Sequence, residues 1–229
     1  MSNSSERAFA FSTLSPERVC EAVEQALDVH CTGEILALNS YENRVYLLCL
    51  ESGERVVGKF YRPDRWSRDA LMDEFAFVDE LSEAGVAVAK PLKLKNGQIL
   101  GEMPEGLWFS VMPYCTGRQT DEWDDEKLIQ LGRAIGRMHR VGQRKAASHR
   151  HRIDVSYLGR RALDELKRMH ALPPQIEPFY MRFAEQLIAK IEPLFEGVAM
   201  QRIHGDCHRG NLLWQGDRII FLDFDDFGM

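Results

Sequence analysis

The sequence predicts an α+β chain built as two lobes, strand-rich in its N-terminal half and mainly helical in its C-terminal half. Three observations predict it: short apolar runs over residues 35–61 separated by turn residues, apolar helical stripes beyond Gly117, and a change of character between Pro113 and Gly117. Strands followed by helices are the pattern of an α+β architecture. The expected division is an N-terminal lobe over 1–114, with an antiparallel sheet and a helix, and a C-terminal lobe over 115–229. The 229 residues suffice for one large domain or for two lobes sharing a cleft.

The elements follow in order. Ser15-Pro16-Glu17 is an N-cap, a proline at the first helical position and an acidic first turn. Val19, Val23, Ala26 and Leu27 then mark an amphipathic helix, which Gly33 is expected to end. Ile35 to Leu38, Arg44 to Leu50 and Arg55 to Tyr61 read as a three-stranded meander, turning at Asn39-Ser40-Tyr41-Glu42-Asn43 and at Ser52-Gly53. Arg62-Pro63 breaks it. Ala70 to Ala84 is helical by its spacing of Leu71, Phe75, Val78 and Leu81, and Gly85 ends it. Val86 to Leu94 and Gln98 to Leu100 are expected to be extended and joined by an Asn96-Gly97 hairpin turn. Trp108 to Pro113 is a candidate buried strand. Beyond the boundary, Leu128, Leu131, Ile135 and Met138 set the apolar stripe of a helix with an acidic start at Asp121 to Glu126. Two more helices are expected over Tyr157 to Met169 and Pro178 to Ile191.

Composition narrows the function classes. Hydrophobic residues at 45% can build a core, and a net charge of −6 argues against a nucleic-acid binder, which would carry a basic footprint. Met1 to Arg7 is polar and no run of about 18 apolar residues occurs, so neither a signal peptide nor a membrane span is expected. Five scattered cysteines without a CxxC pair fit a reduced, cytoplasmic protein with free thiols.

The chemistry concentrates in Ile203 to Trp214. Asp206 precedes Asn211 by five positions, and Asp223 follows at the end of the apolar run Ile219-Ile220-Phe221-Leu222. Phosphoryl transfer needs a carboxylate to take a proton and metal ions to bridge phosphates. Aspartate suits the first task, and an amide oxygen with a second carboxylate supplies hard ligands for Mg²⁺. The order D-x-x-x-x-N, apolar strand, Asp is that of protein kinases. A zinc site from His204, Asp206, Cys207 and His208 is disfavoured, because no second Cys/His pair has finger spacing. His204 is expected to prop the loop by hydrogen bonds.

A second constellation lies upstream. Lys59 falls inside the apolar strand Val56 to Phe60, where a charge is costly unless paired. Glu74 in the following helix is the expected partner, in an ion pair that orients ATP phosphates, with Asp73 as the alternative. Lys59 on an outward-facing edge strand is the plainer reading. Ser40 and the backbone of its turn are candidates for holding phosphate oxygens, and an ordinary polar hairpin is the alternative. Val111 to Tyr114 falls where an adenine would meet backbone groups. The basic run Arg144 to Arg152 reads as a solvated loop or a docking surface.

The stretches LNSYENRVY (38–46), VVGKFYRP (56–63), HGDCHRGNLLW (204–214) and FLDFDD (221–226) resemble the bacterial stress response kinase A family. That family is a branch of the aminoglycoside phosphotransferase and choline kinase superfamily. The resemblance implies a protein-kinase-like fold and a cytoplasmic, monomeric serine/threonine protein kinase that uses ATP and Mg²⁺ in stress survival. It implies Asp206 as proton acceptor, Asn211 and Asp223 as Mg²⁺ ligands, and Asp223 as part of the active site. Ser40 would contact ATP, and Lys59 with Glu74 would position its phosphates. Asp225 is a further metal candidate. Family members continue past the point equivalent to Met229, so the chain is expected to be shortened at its C-terminus. A small-molecule kinase and a nucleotide-binding module without turnover stay open as alternatives, because fold does not fix function.

Overall fold

The computed structural model of the chain describes residues 4–229. Helix α1 (Ser4–Ser12) takes up the end of the polar N-terminal stretch, whose first three residues lie outside the described ones. Helix α2 (Pro16–Leu27) starts as its sequence predicts, with Ser15 accepting the Arg18 amide. It ends earlier than expected. Asp28 adopts the left-handed conformation (φ 60°) and donates its amide to Glu24, so Gly33 is not the stop signal. Gly33 lies inside strand β1 (Cys31–Leu38), at positive φ, where the pairing register slips.

Strands β2 (Arg44–Leu50) and β3 (Arg55–Phe60) complete the meander. With β4 (Gly101–Glu102) and β5 (Trp108–Pro113) they form an antiparallel sheet in the order β1-β2-β3-β5-β4. Strand β3 is therefore interior, with Lys59 facing Val45 on one side and Ser110 on the other. Val19 and Val23 of α2 bury one face of this sheet against Leu48, Phe60, Phe109 and Val111.

Helix α3 (Arg68–Glu83) is the joint of the molecule. Ser67 caps it, as Ala70 donates to its hydroxyl at 3.1 Å. Leu71 and Phe75 pack with Tyr61 and Trp66 below the sheet. Phe77, Val78 and Leu81 instead enter a second core with Met138, Phe221, Phe224 and Phe227.

Residues 86–94 depart from expectation. Leu94 closes a turn on Gln98 through Gly97 at positive φ, but no hairpin grows from it. Ala87 and Ala89 hydrogen-bond to Phe221, and Leu92 donates to Val111. Most of the segment's backbone bonds go to the two lobes it joins, and Leu94 alone pairs with 98–100, through Gln98.

The C-terminal half contains α4 (Asp125–Gly142), α5 (Arg161–Arg168, entered through a π turn at Ser156–Arg160) and α6 (Glu177–Ile191). A hairpin of β6 (Leu212–Gln215) and β7 (Arg218–Phe221) completes it. Helix α4 keeps most of its predicted stripe: Met138 is buried and Leu131 and Ile135 pack against the second core, joined by Ala134 and Val141, while Leu128 at the helix start is 51% exposed. No helix among the described residues is long and apolar enough to cross a membrane.

Candidate active site

Lys59 projects from the interior strand with its side chain 6% exposed, so its charge requires partners. Two carboxylates supply them: Asp223 Oδ1 at 2.7 Å and Asp225 Oδ1 at 3.4 Å. Burial opposes the ammonium charge, but Asp225, Asp223 and Glu74 outweigh it and hold the lysine pKa well above its usual value.

The expected Lys59–Glu74 ion pair is not formed. Glu74 Oε2 instead accepts from Arg150 Nη2 at 2.7 Å. The Arg150 guanidinium is fully buried, with its centre 4.1 Å from the Trp66 ring and 4.5 Å from that of Phe227. It also donates to the carbonyls of Ala70 (2.8 Å) and Asp225 (2.6 Å). A planar fork satisfies three acceptors at fixed angles, which an ammonium group cannot do, and two carboxylates on the other side claim the lysine. Asp73 is not the partner either, since it accepts the His149 amide at 2.9 Å. Burial raises the Glu74 pKa to about 7, with Asp225 and Asp223 adding to the effect and Lys59 and Arg150 opposing it. Arg150 thus belongs to the interior, although it sits in the run read as solvated. Nothing local in that run separates one buried arginine from its exposed neighbours.

The loop after Ile203 is built on backbone constraints. Gly205 has φ +84°, and a Cβ there would lie 1.9 Å from the Asp226 carbonyl oxygen. Buried His204 props the loop as expected. Its Nε2 donates to the Leu222 carbonyl at 2.9 Å, and its Nδ1 accepts the Asp206 amide at 3.4 Å. Asn211 Nδ2 donates to the Asp206 carbonyl at 2.9 Å and lies 3.4 Å from Asp206 Oδ2. Asp223 adopts the left-handed region with φ 52°, a costly conformation for a residue with a Cβ and one that clusters at functional sites. Lys59 holds the Asp223 pKa below the carboxylate range against the effect of burial.

A second arginine absent from the sequence reading, Arg65, joins three loops. It contacts Glu42 in the Ser40 turn at 2.9 Å, Asp225 at 3.1 Å and Asp226 at 2.6 Å. It follows Arg62-Pro63, where the strand pattern ends, and no sequence pattern marks its role.

These elements enclose a cleft of about 410 Å³. Ser40, Lys59, Glu74, Asn211 and Asp223 all line it, between apolar walls that include Val57, Met112, Leu213 and Leu222. Asp206 is not a wall residue and joins the cleft through Asn211. Ser40 Oγ accepts the Asn43 amide at 3.3 Å, which shapes the turn at one end. Asp225 is buried behind Lys59, and its Oδ1, 3.4 Å from the ammonium, makes no hydrogen bond among the described residues. The cleft thus combines apolar walls, a buried cation and hard oxygen donors, a combination suited to a nucleotide.

Residues 34–229 match the phosphotransferase enzyme family, APH. The chain belongs to that family. Among its relatives, stress response kinase A of Escherichia coli is 35% identical over 223 residues, covering 96% of this chain and 66% of that protein. Serine/threonine protein kinase RdoA of Salmonella typhimurium is 33% identical over 223 residues with the same shares. The chain therefore spans about 66% of the length of the curated relatives it matches. An amicoumacin kinase solved with AMP-PNP, Ca²⁺ and Ami superposes with a TM-score of 0.77 at 22% identity, over 93% of this chain and 64% of that one. A microcompartment-associated aminopropanol kinase gives 0.73 at 20% identity, over 93% and 70%. These likenesses show the kinase-like fold expected from the sequence.

Proposed function

We propose that this phosphotransferase is a serine/threonine protein kinase of bacterial stress response, using ATP and Mg²⁺. The observation that carries the reading is convergence. Lys59 from β3, Asn211 from the 203–211 loop and Asp223 after β7 line one cleft, and Asp206 is hydrogen-bonded to Asn211 at its edge. Residues 1–114 serve as the nucleotide lobe and 115–229 as the catalytic lobe. Asp206 is the proton acceptor for the incoming hydroxyl. Lys59 and the Ser40 turn hold phosphate oxygens, and the Val111 to Tyr114 segment receives the base. Glu74 acts as a cleft wall fixed by Arg150.

The residues present fit a divalent metal. Asp206 occupies the Asn211 amide nitrogen, which leaves the amide oxygen free, and Lys59 engages one oxygen of Asp223, which leaves the other. An amide oxygen and a carboxylate are hard donors of the kind Mg²⁺ takes, and Asn211 and Asp223 would hold it. When bound, the metal neutralises charge on the transferring phosphoryl group.

A protein acceptor is favoured by the names of the relatives at 33–35% identity, whereas the small-molecule kinases are at 22% or below. Free cysteines throughout the chain agree with a cytoplasmic setting, and a monomer is the working state. The test uses γ-labelled ATP, Mg²⁺ and a protein acceptor. Labelled phosphoserine or phosphothreonine, lost in Asp206→Asn, is the expected result. Transfer only to amino alcohols or aminoglycosides would reassign the acceptor. Mg-ATP binding in calorimetry without transfer to any acceptor would leave a binding module.

A further inference from the structure

We propose that His208 is a positioning residue that orients the Asp206 carboxylate for proton transfer; this rests on the reading of Asp206 as the proton acceptor. His208 lies in the short turn between Asp206 and Asn211, with one ring nitrogen hydrogen-bonded to the backbone and the other near the Asp206 carboxylate. The Gly210 amide donates to Nδ1 at 2.9 Å, which makes Nδ1 an acceptor and leaves the ring proton on Nε2. That Nε2 lies 3.5 Å from Asp206 Oδ2, close enough to tighten into a hydrogen bond in a reacting complex. Gly210 is shaped to this ring, since a Cβ there would meet His208 Cε1 at 2.5 Å and Nδ1 at 3.0 Å. A residue without a Cβ two positions after the histidine leaves room for the imidazole.

The consequence concerns which oxygen of Asp206 reacts. Oδ2 faces two N–H donors, His208 Nε2 at 3.5 Å and Asn211 Nδ2 at 3.4 Å. Oδ1 has no partner among the described residues. The two donors fix the carboxylate plane and leave Oδ1 as the basic atom. In the transfer step the acceptor oxygen bonds to the γ-phosphorus as the bond to the β–γ bridging oxygen breaks. The hydroxyl proton passes to Asp206 Oδ1, and ADP leaves with the bridging oxygen. Such contacts are often long in an unliganded enzyme and tighten in the reacting complex. His208 is placed to hold orientation rather than to exchange the proton itself, because its only free N–H is directed at the base. Fixing the tautomer through the other ring nitrogen is a common device for such histidines.

The test separates the two ring nitrogens. In ¹⁵N spectra of the full chain near pH 8, where imidazole is ordinarily neutral, His208 should show the Nε2–H tautomer. Its Nε2 resonance should shift in Asp206→Asn. An Nδ1–H tautomer overturns the proposal whether or not the chain turns over. In ATP turnover, with water or a protein as acceptor, His208→Ala should lower kcat at least about tenfold, short of the roughly 10²–10⁴-fold effect of losing the proton-transfer group itself. ADP affinity by calorimetry should change less than twofold. His208→Asn restores only the Nδ1-like acceptor for the Gly210 amide, and His208→Gln restores only the Nε2-like donor. Recovery by Gln and not by Asn supports positioning of the carboxylate. Recovery by Asn means the ring merely caps the turn, and failure of Gln to recover any rate likewise overturns the proposal. An unchanged rate in His208→Ala, with Asp206→Asn inactive, refutes this role alone. Activity retained by Asp206→Asn refutes the base assignment and this proposal with it.

Discussion

Arg150→Met removes the guanidinium that fixes α3 to the 223–228 segment while keeping an unbranched side chain between Trp66 and Phe227. Three acceptors lose their donor: Glu74 Oε2, the Ala70 carbonyl and the Asp225 carbonyl. Removing one partner of a buried pair costs about 3–5 kcal/mol, because the remaining charge has no water to return to. For a chain of this size that is a Tm lower by roughly 6–20 °C. The loss depends on pH, and the sign follows from Glu74. Its folded-state pKa of about 7 lies above its usual value of 4.5. The folded state therefore binds the extra proton, and the stability contributed by Glu74 declines as pH rises from the unfolded to the folded pKa. Without Arg150 the folded pKa rises further, so the variant can escape the charge penalty by protonation in mild acid but not in mild base. Urea unfolding at about pH 8 should show the full 3–5 kcal/mol loss, and at about pH 5.5 a loss smaller by about 1–3 kcal/mol, the remainder coming from two orphaned carbonyls. Pairing Arg150→Met with Glu74→Gln should recover most of the loss at the higher pH. A loss below about 1 kcal/mol, or one equal at both pH values, would refute the assignment of Glu74 to Arg150.

Three further outcomes follow from the same geometry. Asp206→Asn should lower turnover by roughly 10²–10⁴-fold with nucleotide affinity nearly unchanged, as measured by single-turnover transfer and calorimetry. Lys59→Met should weaken ATP binding by at least about tenfold and raise the Asp223 pKa, since the neighbouring charge that depresses it is gone, as ¹³C carboxyl titration would record. Gly205→Ala should destabilise by more than about 2 kcal/mol in urea, combining a left-handed Cβ penalty with a clash against the Asp226 carbonyl.

Much of this fold was legible because its signals are local. Ser15-Pro16-Glu17 announces α2, and Ser52-Gly53 turns β2 into β3. The apolar run before Asp223 is a strand for the reason the sequence implies. The catalytic-loop candidates are equally local, since the spacing of Asp206 and Asn211 is also their hydrogen-bonded distance. What failed locally failed by competition. Gly33 is a plausible helix stop, but Asp28 reaches the left-handed conformation five residues earlier. Residues 86–94 have strand composition, yet their backbone partners belong to Val111 and Phe221 on two different elements.

The ion pairs show why the rest was hidden. Lys59 and Glu74 were expected to pair because each is costly to bury alone, and that premise holds for both. The sequence could not rank the partners, because ranking depends on which charges the chain brings together from 76 residues away in one case and 164 in the other. Arg150 wins Glu74 by geometry, since one planar fork serves a carboxylate and two carbonyls at once. Asp223 and Asp225 win Lys59 by charge, since two carboxylates hold a lysine more strongly than one. The arrangement couples the parts of the proposed site mechanically. Arg150 ties α3 to Asp225, Lys59 ties the sheet to Asp223, and Arg65 ties the Ser40 turn to Asp225 and Asp226. A nucleotide that draws Lys59 towards its phosphates must loosen its hold on Asp223. Releasing that oxygen would add it to the Asp223 oxygen already free for the proposed metal beside Asn211. Nucleotide and metal binding should therefore favour one another through Lys59, without either requiring a large movement of the lobes.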